Sequence, residues 1–325
     1  MLHPPSGHPP SVPQNYRANG KLLLSGEYFV LDGALALALP TQRGQTLTLQ
    51  TLQAAAPHLH WKSWTVDGTI WFDGVFDLKN FAILSHSDEA TAQRLQAIFQ
   101  AIRQLRSDFL LSSNAASAWE VNTHLDFPRD WGLGSSSTLL HLLAQWAQVD
   151  PYALLAQTFG GSGYDLACAS ANGPILYQKK GGKPIVQACH FQPVFRSQLY
   201  FVYLGQKQNS RQGIAHYRQQ TEVPGEHIKH ISVLTKEILN ATTLQTFECC
   251  IEQHEELVAQ HLQLDKVKDR YFSDYWGTVK SLGAWGGDFV MVSSPKSEKA
   301  TRDYFADKGF SVFIPYQTMI LDHNE

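Results

Sequence analysis

The chain has 325 residues, 43% of them hydrophobic and 17% charged, with a formal net charge of −3 at pH 7. That length suffices for two domains or one large α/β unit with a real core, and a charge this close to balance lacks the basic excess that nucleic acid or an anionic membrane would favour, so a small molecule is the expected partner. No apolar run approaches the roughly 18 residues of a membrane span and the N-terminus lacks the apolar core of a signal peptide, which makes the cytoplasm the default expectation.

Residues 1–15, rich in Pro, His and Ser, are expected to form a disordered leader. Residues 21–31 (KLLLSGEYFVL) and 34–39 (ALALAL) read as buried strands around a turn, and 46–52 (TLTLQTL) alternates with period two. Residues 90–106 place Leu95, Ile98, Phe99, Ile102 and Leu105 at helical spacing. A strand is expected over 118–125 and a helix over 137–149, the latter fed directly by a run of small residues. Gly181-Gly-Lys-Pro184 punctuates the middle, so the expected division is an N-terminal domain over 16–190 and a C-terminal domain over 191–325. In the second half, 199–205 and 288–294 read as strands, and 226–240, 244–263 and 296–307 as helices. The order is α+β rather than regular βαβ alternation.

Cys168, Cys189, Cys249 and Cys250 show no CxxC spacing and are expected as reduced thiols. His254 and Glu255 begin like a HExxH zinc helix, but Val258 stands where the second histidine belongs, so no zinc site is expected.

The small-residue run is Trp131-Gly-Leu-Gly-Ser-Ser-Ser-Thr138. A helix N-terminus presents unpaired N–H groups and about half a positive charge; with glycines before it, the backbone can cradle an anion while serine hydroxyls reach phosphate or magnesium. Alone, the run reads first as a helix cap, where Ser and Thr are favoured anyway. GxxxxGK[ST], GxGxxG and GxSxG are all absent, which removes the P-loop, Rossmann and α/β-hydrolase readings. A second glycine stretch, Gly160-Gly-Ser-Gly-Tyr-Asp165, carries a carboxylate, and a third, Leu282-Gly-Ala-Trp-Gly-Gly-Asp288, precedes a strand.

Taken in order with Asn19-Gly-Lys-Leu-Leu-Leu-Ser-Gly-Glu-Tyr28, these stretches resemble the motif regions of the GHMP superfamily of small-molecule kinases, and more the phosphomevalonate and mevalonate kinase branch than galactokinase; the match spans residues 16 to about 294. The resemblance implies a two-domain α+β fold, with an N-terminal domain of the ribosomal-protein-S5-like domain 2 type and a C-terminal ferredoxin-like α/β sandwich. It implies ATP and Mg2+ as cofactors, with ATP phosphates held by Trp131, Gly132, Leu133, Gly134, Ser135, Ser136 and Ser137 and by Gly283, Ala284, Gly286 and Gly287 of the third loop. Ser136 matches the magnesium-contacting hydroxyl, Asp165 the catalytic base and Lys21 the lysine beside it. The chemistry is sensible: the carboxylate takes or orients the proton of the attacking oxygen, and the ammonium stabilises negative charge there and on the transferring phosphoryl group.

Two departures stand out. Trp285 replaces a glycine usual in the third motif, and either crowds the nucleotide side or anchors a core. Gln157 and Thr158 stand where mevalonate kinases carry a magnesium-binding glutamate. On the acceptor side, Lys207, Ser210 and Arg211 lie where phosphomevalonate kinases have a substrate loop and could bind a carboxylate or phosphate, or simply form a solvated turn. Glu27 and Tyr28 could reach substrate or adenine, or pack at a strand end; Arg43 reads first as a surface residue. The expected activity is ATP-dependent phosphoryl transfer to a small anionic acceptor, with phosphomevalonate or mevalonate favoured. The rivals are a catalytically silent protein of the same fold and a kinase for another alcohol, such as a sugar or amino-acid derivative.

Overall fold

The computed structural model describes residues 12–111, 117–206, 210–220, 223–283 and 285–322. Contacts divide the chain into two compact units that are discontinuous in sequence: Met1–Ala18, Gly44–Pro128 and Ser135–Gly161 form one, and Asn19–Arg43, Arg129–Gly134 and Ser162–Glu325 the other. Two strands contribute to both, β1 (Gln14–Ser25) and β2 (Ala36–Gln53).

The two expected strands of 34–39 and 46–52 are therefore one strand, β2, which changes partner around Pro40. Proline has no N–H for a ladder, and that favours such a break in pairing. The expected strand over 21–31 instead stops at Ser25, and Phe29–Asp32 form a 3-10 turn. Gly26 and Tyr28 between them take φ of 89° and 60°, outside any strand conformation.

The first unit is built on β3 (His58–Trp64), β4 (Ile70–Asp77), β5 (Ile83–His86), the helix α1 (Glu89–Leu105), β6 (Ser117–Leu125), α2 (Ser135–Ala147) and α3 (Pro151–Gln157). Its strands run in the order β5-β4-β3-β6-β2, with β3 and β6 parallel and the other pairs antiparallel. Alternation along β3 turns Leu59 and Trp61 inward, where Trp61 meets Phe99 of α1 at 5.8 Å between ring centroids. Asp88 caps α1 by accepting from the Thr91 N–H.

The second unit adds α4 (Tyr164–Ser170), β7 (Ile175–Lys180) and β8 (Lys183–Ala188) to the first half of β2, then β9 (Leu199–Tyr203), α5 (Ser210–Gln219), α6 (Gly225–Asn240), α7 (Leu244–Leu262), α8 (Val267–Tyr271), β10 (Val279–Ser281), β11 (Phe289–Ser293), α9 (Glu298–Asp307), β12 (Phe313–Pro315) and α10 (Tyr316–Met319). Its separate four-stranded sheet, β10-β11-β9-β12, is antiparallel throughout. One core of this unit gathers Tyr200, Val202, Phe272, Val290, Val292 and Phe305; another gathers Tyr28, Phe29, Tyr217, Val258, Leu262 and Trp285. The α+β class expected from the sequence holds.

Candidate functional site

Lys21 ties the first motif to the second. Its backbone N–H donates to the Leu133 carbonyl at 3.0 Å, and its Nζ donates to the Gly132 carbonyl at 2.9 Å. Leu133 is buried, and Trp131 packs edge-on against Phe289 at 5.3 Å, with the Arg43 guanidinium 5.3 Å from the centre of its ring. Arg43 therefore has a ring partner rather than a purely solvated position. What comes close to the backbone at Gly132 is Asp288: Gly132 has φ of 65°, and a Cβ built there would overlap the Asp288 carboxylate. Asp288 is buried, at 8% exposure, and its backbone N–H and carbonyl pair with Gln206 and Leu204 beyond β9.

The chain passes directly from Gly134 into α2, whose first turn is Ser135, Ser136 and Ser137. Ser136 is exposed; Ser137 and Thr138 are buried, and the Thr138 hydroxyl donates to Gln45 Oε1 at 2.7 Å. A helix of thirteen residues beginning on these serines turns the positive end of its dipole toward the glycine run that precedes it.

Asp165 sits in the first turn of α4, half-buried, its Oδ1 accepting from the Leu166 N–H at 3.1 Å. Lys21 Nζ lies 5.8 Å from the centre of the neighbouring Tyr164 ring. Cys168, one turn further along α4, registers both groups: burial pushes its thiol up, the Asp165 charge adds to that rise and the Lys21 charge opposes it. Lys21 thus joins the second loop to the Tyr164 ring of the GSGYD stretch.

In the third loop Gly283 and Gly286 have φ of 73° and 79°, and a Cβ at Gly286 would find no heavy atom within 4 Å, so that face is open. Gly287 is buried, and Ala284 lies outside the described residues. Trp285 turns the other way. Its ring is buried with Tyr28, Tyr217, Val258 and Leu262, its indole N–H donates to the Asp265 carbonyl at 3.1 Å, and its backbone N–H donates to the Tyr28 hydroxyl at 3.0 Å. The bulky replacement is a core anchor.

Glu27 and Tyr28 are both buried. The Tyr28 hydroxyl is so close to α5 that a Cβ at Gly213 would come within 2.5 Å of it. Glu27, at 1% exposure, belongs to a cluster that no sequence motif announced. Lys280 Nζ donates to Glu27 Oε1 at 2.5 Å and to the Ser281 carbonyl at 2.6 Å, and lies 3.0 Å from Glu255 Oε1. Glu255 Oε2 accepts from both the N–H and the hydroxyl of Ser281, at 3.1 and 3.0 Å, and His254 Nε2 accepts from the Gly26 N–H at 2.9 Å. Burial pushes the Glu27 carboxyl up to about 7 against the attraction of Lys280, with Glu255 adding to the rise. Burial pulls the Lys280 ammonium down, but the carboxylates of Glu255 and Glu27 outweigh it and leave its pKa above the ordinary value. Burial, then Lys280, pulls His254 well below the ordinary range and keeps it neutral.

Of the acceptor-side residues, Arg211 is exposed on α5, while Lys207 and the side chain of Ser210 lie outside the described residues. A separate cavity of about 810 Å3 opens between α6, α7 and α8, lined by Glu252, Glu256 and Asp269 with Lys266 and Lys268 paired to them, and holds none of the glycine-loop residues. Sequence reasoning passed over Asp288, Lys280 and Tyr164. Each stood inside or beside a quoted glycine stretch, and that adjacency was the available signal.

No family model matches the chain, and no curated protein matches it in sequence. Solved structures do match. The chain is similar to L. major mevalonate kinase in complex with R-mevalonate, with a TM-score of 0.63, 18% identity, and coverage of 91% of this chain and 90% of that one. It is similar to Streptococcus pneumoniae phosphomevalonate kinase in complex with phosphomevalonate and AMPPNP, with a TM-score of 0.64, 16% identity, and coverage of 92% and 99%. Lactococcus lactis galactokinase complexed with galactose matches with a TM-score of 0.60, 10% identity, and coverage of 96% and 94%. With ordered glycine loops meeting at Lys21 and these three kinases superimposing over nearly their whole lengths, the chain has the fold of the GHMP kinases.

Proposed function

We propose that the protein is an ATP-dependent small-molecule kinase that transfers a phosphoryl group to a small anionic acceptor, with phosphomevalonate or mevalonate as the favoured acceptors. The observation that carries this reading is Lys21, whose ammonium is bonded to the Gly132 carbonyl of the second loop beside the Tyr164–Asp165 turn. In this reading Asp165 accepts the proton of the attacking hydroxyl, and Lys21 stabilises the charge on that oxygen and on the phosphoryl group in flight. Trp131 to Ser137 bind the nucleotide phosphates through backbone N–H groups and hydroxyls, and Gly283, Gly286 and Gly287 of the third loop contribute to the same task.

The residues present fit both cofactors. Gly286 faces open space where a Cβ would stand, and the glycine run 131–134 leads directly into the N-terminus of α2, whose positive dipole end suits a polyphosphate. For magnesium the exposed Ser136 hydroxyl would be a protein donor, an oxygen that suits a hard cation. Among the described residues no three His, Cys, Asp or Glu side chains are arranged to hold a metal ion, so phosphate and water would complete the shell. Bound there, magnesium would neutralise phosphate charge. On the acceptor side the exposed Arg211 would meet the anionic group.

A silent binding protein of the same fold is favoured by Trp285 as an obstruction and by Gln157 and Thr158 in place of a magnesium-binding glutamate. With the indole packed among Tyr28, Tyr217 and Val258, the first of these grounds is removed and the second stands. The test is ADP release with mevalonate, phosphomevalonate, homoserine and simple sugars, repeated with Lys21→Met and Asp165→Asn. Full turnover by either variant with the identified acceptor would overturn the roles of Lys21 and Asp165, and no turnover with any acceptor would return the silent reading.

A further inference from the structure

Outside the residues with catalytic or binding roles, the largest concentration of buried charge is the cluster of Glu27, Lys280, Glu255 and His254. Its members stand on three elements: Glu27 in the turn after β1, Lys280 at the centre of β10, and His254 and Glu255 as successive residues of α7. Lys280 and His254 are 0% exposed, Glu27 1% and Glu255 2%. The ammonium donates to Glu27 and the Ser281 carbonyl and is ion-paired with Glu255.

What these bonds hold is more informative than how many there are. His254 holds the N–H of Gly26, the residue between the Lys21 strand and the Glu27–Tyr28 turn. Glu255 holds the N–H and hydroxyl of Ser281, the last residue of β10 before the third glycine loop. Lys280 closes the ring between them. The same two segments meet again where the Trp285 N–H donates to the Tyr28 hydroxyl. Tyr28 keeps a φ of 60° and a ψ of −48°, a conformation a tyrosine adopts only when its surroundings impose it. A buried charged network gains little net stability over an apolar core of the same volume, but it accepts one geometry and rejects others.

We propose that Glu27, Lys280, Glu255 and His254 are positioning residues for the kinase reaction: they lock the turn that follows the Lys21 strand and the root of the third glycine loop to adjacent residues of α7, and so set the pose in which that loop receives the nucleotide. None of the four reaches the reacting atoms in this scheme. They act through Lys21, on the strand that leads into the turn, and through Gly283 to Gly287. The two residues that resembled the start of a zinc helix thus have their use without a metal. This inference rests on the kinase reading.

The experiment compares nucleotide binding with stability. Binding of AMPPNP with magnesium to the full chain is measured by calorimetry, thermal unfolding is followed in parallel, and kinetic constants are taken with the identified acceptor. Lys280→Met is expected to weaken nucleotide binding and raise the nucleotide KM at least tenfold, with the acceptor KM moving less than twofold. The double variant Lys280→Met/Glu27→Leu replaces the ion pair by apolar groups and is expected to regain most of the lost thermal stability while its nucleotide affinity stays weak. Ser281→Ala, which removes one hydroxyl bond to Glu255, is expected to weaken binding about threefold in a well-folded protein. If the double variant recovers affinity together with stability, or if all three variants bind as tightly as the parent, packing alone does the work and the inference is overturned. A parent protein that binds no nucleotide overturns the kinase reading and this inference with it, a result distinct from tight binding by both parent and variants.

Discussion

Two sets of a lysine and a carboxylate in the same unit have opposite surroundings. Lys21 and Asp165 are half-buried at the glycine loops, and Lys21 directs its ammonium to a backbone carbonyl rather than to the acid. Lys280 and Glu27 are sealed from water and bonded to each other at 2.5 Å. The residue types are alike, yet solvent access makes the first pair available to an arriving anion and leaves the second no partner but the protein. Desolvation decides the difference: a charge near water can be handed to a ligand, whereas a charge in the interior must stay paired or change protonation.

The largest expected contrast comes from removing one member of each pair. Asp165→Asn should lower turnover by about 10²–10⁴-fold, the usual contribution of a general base, with little change in unfolding free energy. Lys280→Met should do the reverse first, costing about 3–5 kcal/mol of stability because it strands a buried carboxylate; equal destabilisation by the two variants in denaturant titrations would erase the distinction drawn between the pairs.

A proton sharpens the comparison further. Folding raises the Glu27 carboxyl from 4.5 to about 7, so between those values the folded chain keeps a proton that the unfolded chain has released. Stability from this group is therefore fully present below about pH 4.5, falls as pH rises across the window and levels off above about pH 7. The seat for that proton is Oε2, the oxygen Lys280 does not touch, which lies 3.4 Å from His254 Nε2. Lys280 on β10 and Glu255 and His254 on α7 are the ionisable groups that face it. Relative to Glu27→Gln, the parent protein should lose on the order of 2 kcal/mol between pH 5 and 7.5. Parallel stability curves for the two proteins would remove Glu27 as the titrating group.

Gly132→Ala should cost about 1–3 kcal/mol, since it forces a side chain into a positive-φ site and against the Asp288 carboxylate. Adding Asp288→Ala should recover part of that loss; no recovery would mean that backbone conformation alone demands the glycine. The smallest effect belongs to Ser136→Ala. Its hydroxyl is exposed, so stability should move by less than about 0.5 kcal/mol, while affinity for ATP with magnesium falls about tenfold, the usual effect of losing one bond to a charged group.

Much of this was legible in the chain itself. Helical spacing located α1, α6, α7 and α9 to within a residue or two, and the three glycine stretches marked the loops in their correct order. Residues 58–86 were passed over, although β3, β4 and β5 lie there; the alternation of His58 to Trp64 was the available signal for β3, while β5 is only four residues long. The union of 34–39 and 46–52 into β2 was hidden by Pro40, which ends a local pattern without ending the strand.

Local sequence determined where the backbone must be small and where helices begin, because glycine conformation, serine capping and apolar periodicity act over a few residues. It could not say what fills the space that a glycine leaves, which at Gly132 is Asp288, 156 positions later in the chain. Nor could it divide the glutamates and tryptophans between solvent and core. Glu27 became a buried charge and Trp285 an anchor only when β10, α7 and the turn after β1 came together. Burial is set by neighbours distant in sequence, and burial decides whether a charged side chain serves a ligand or the fold.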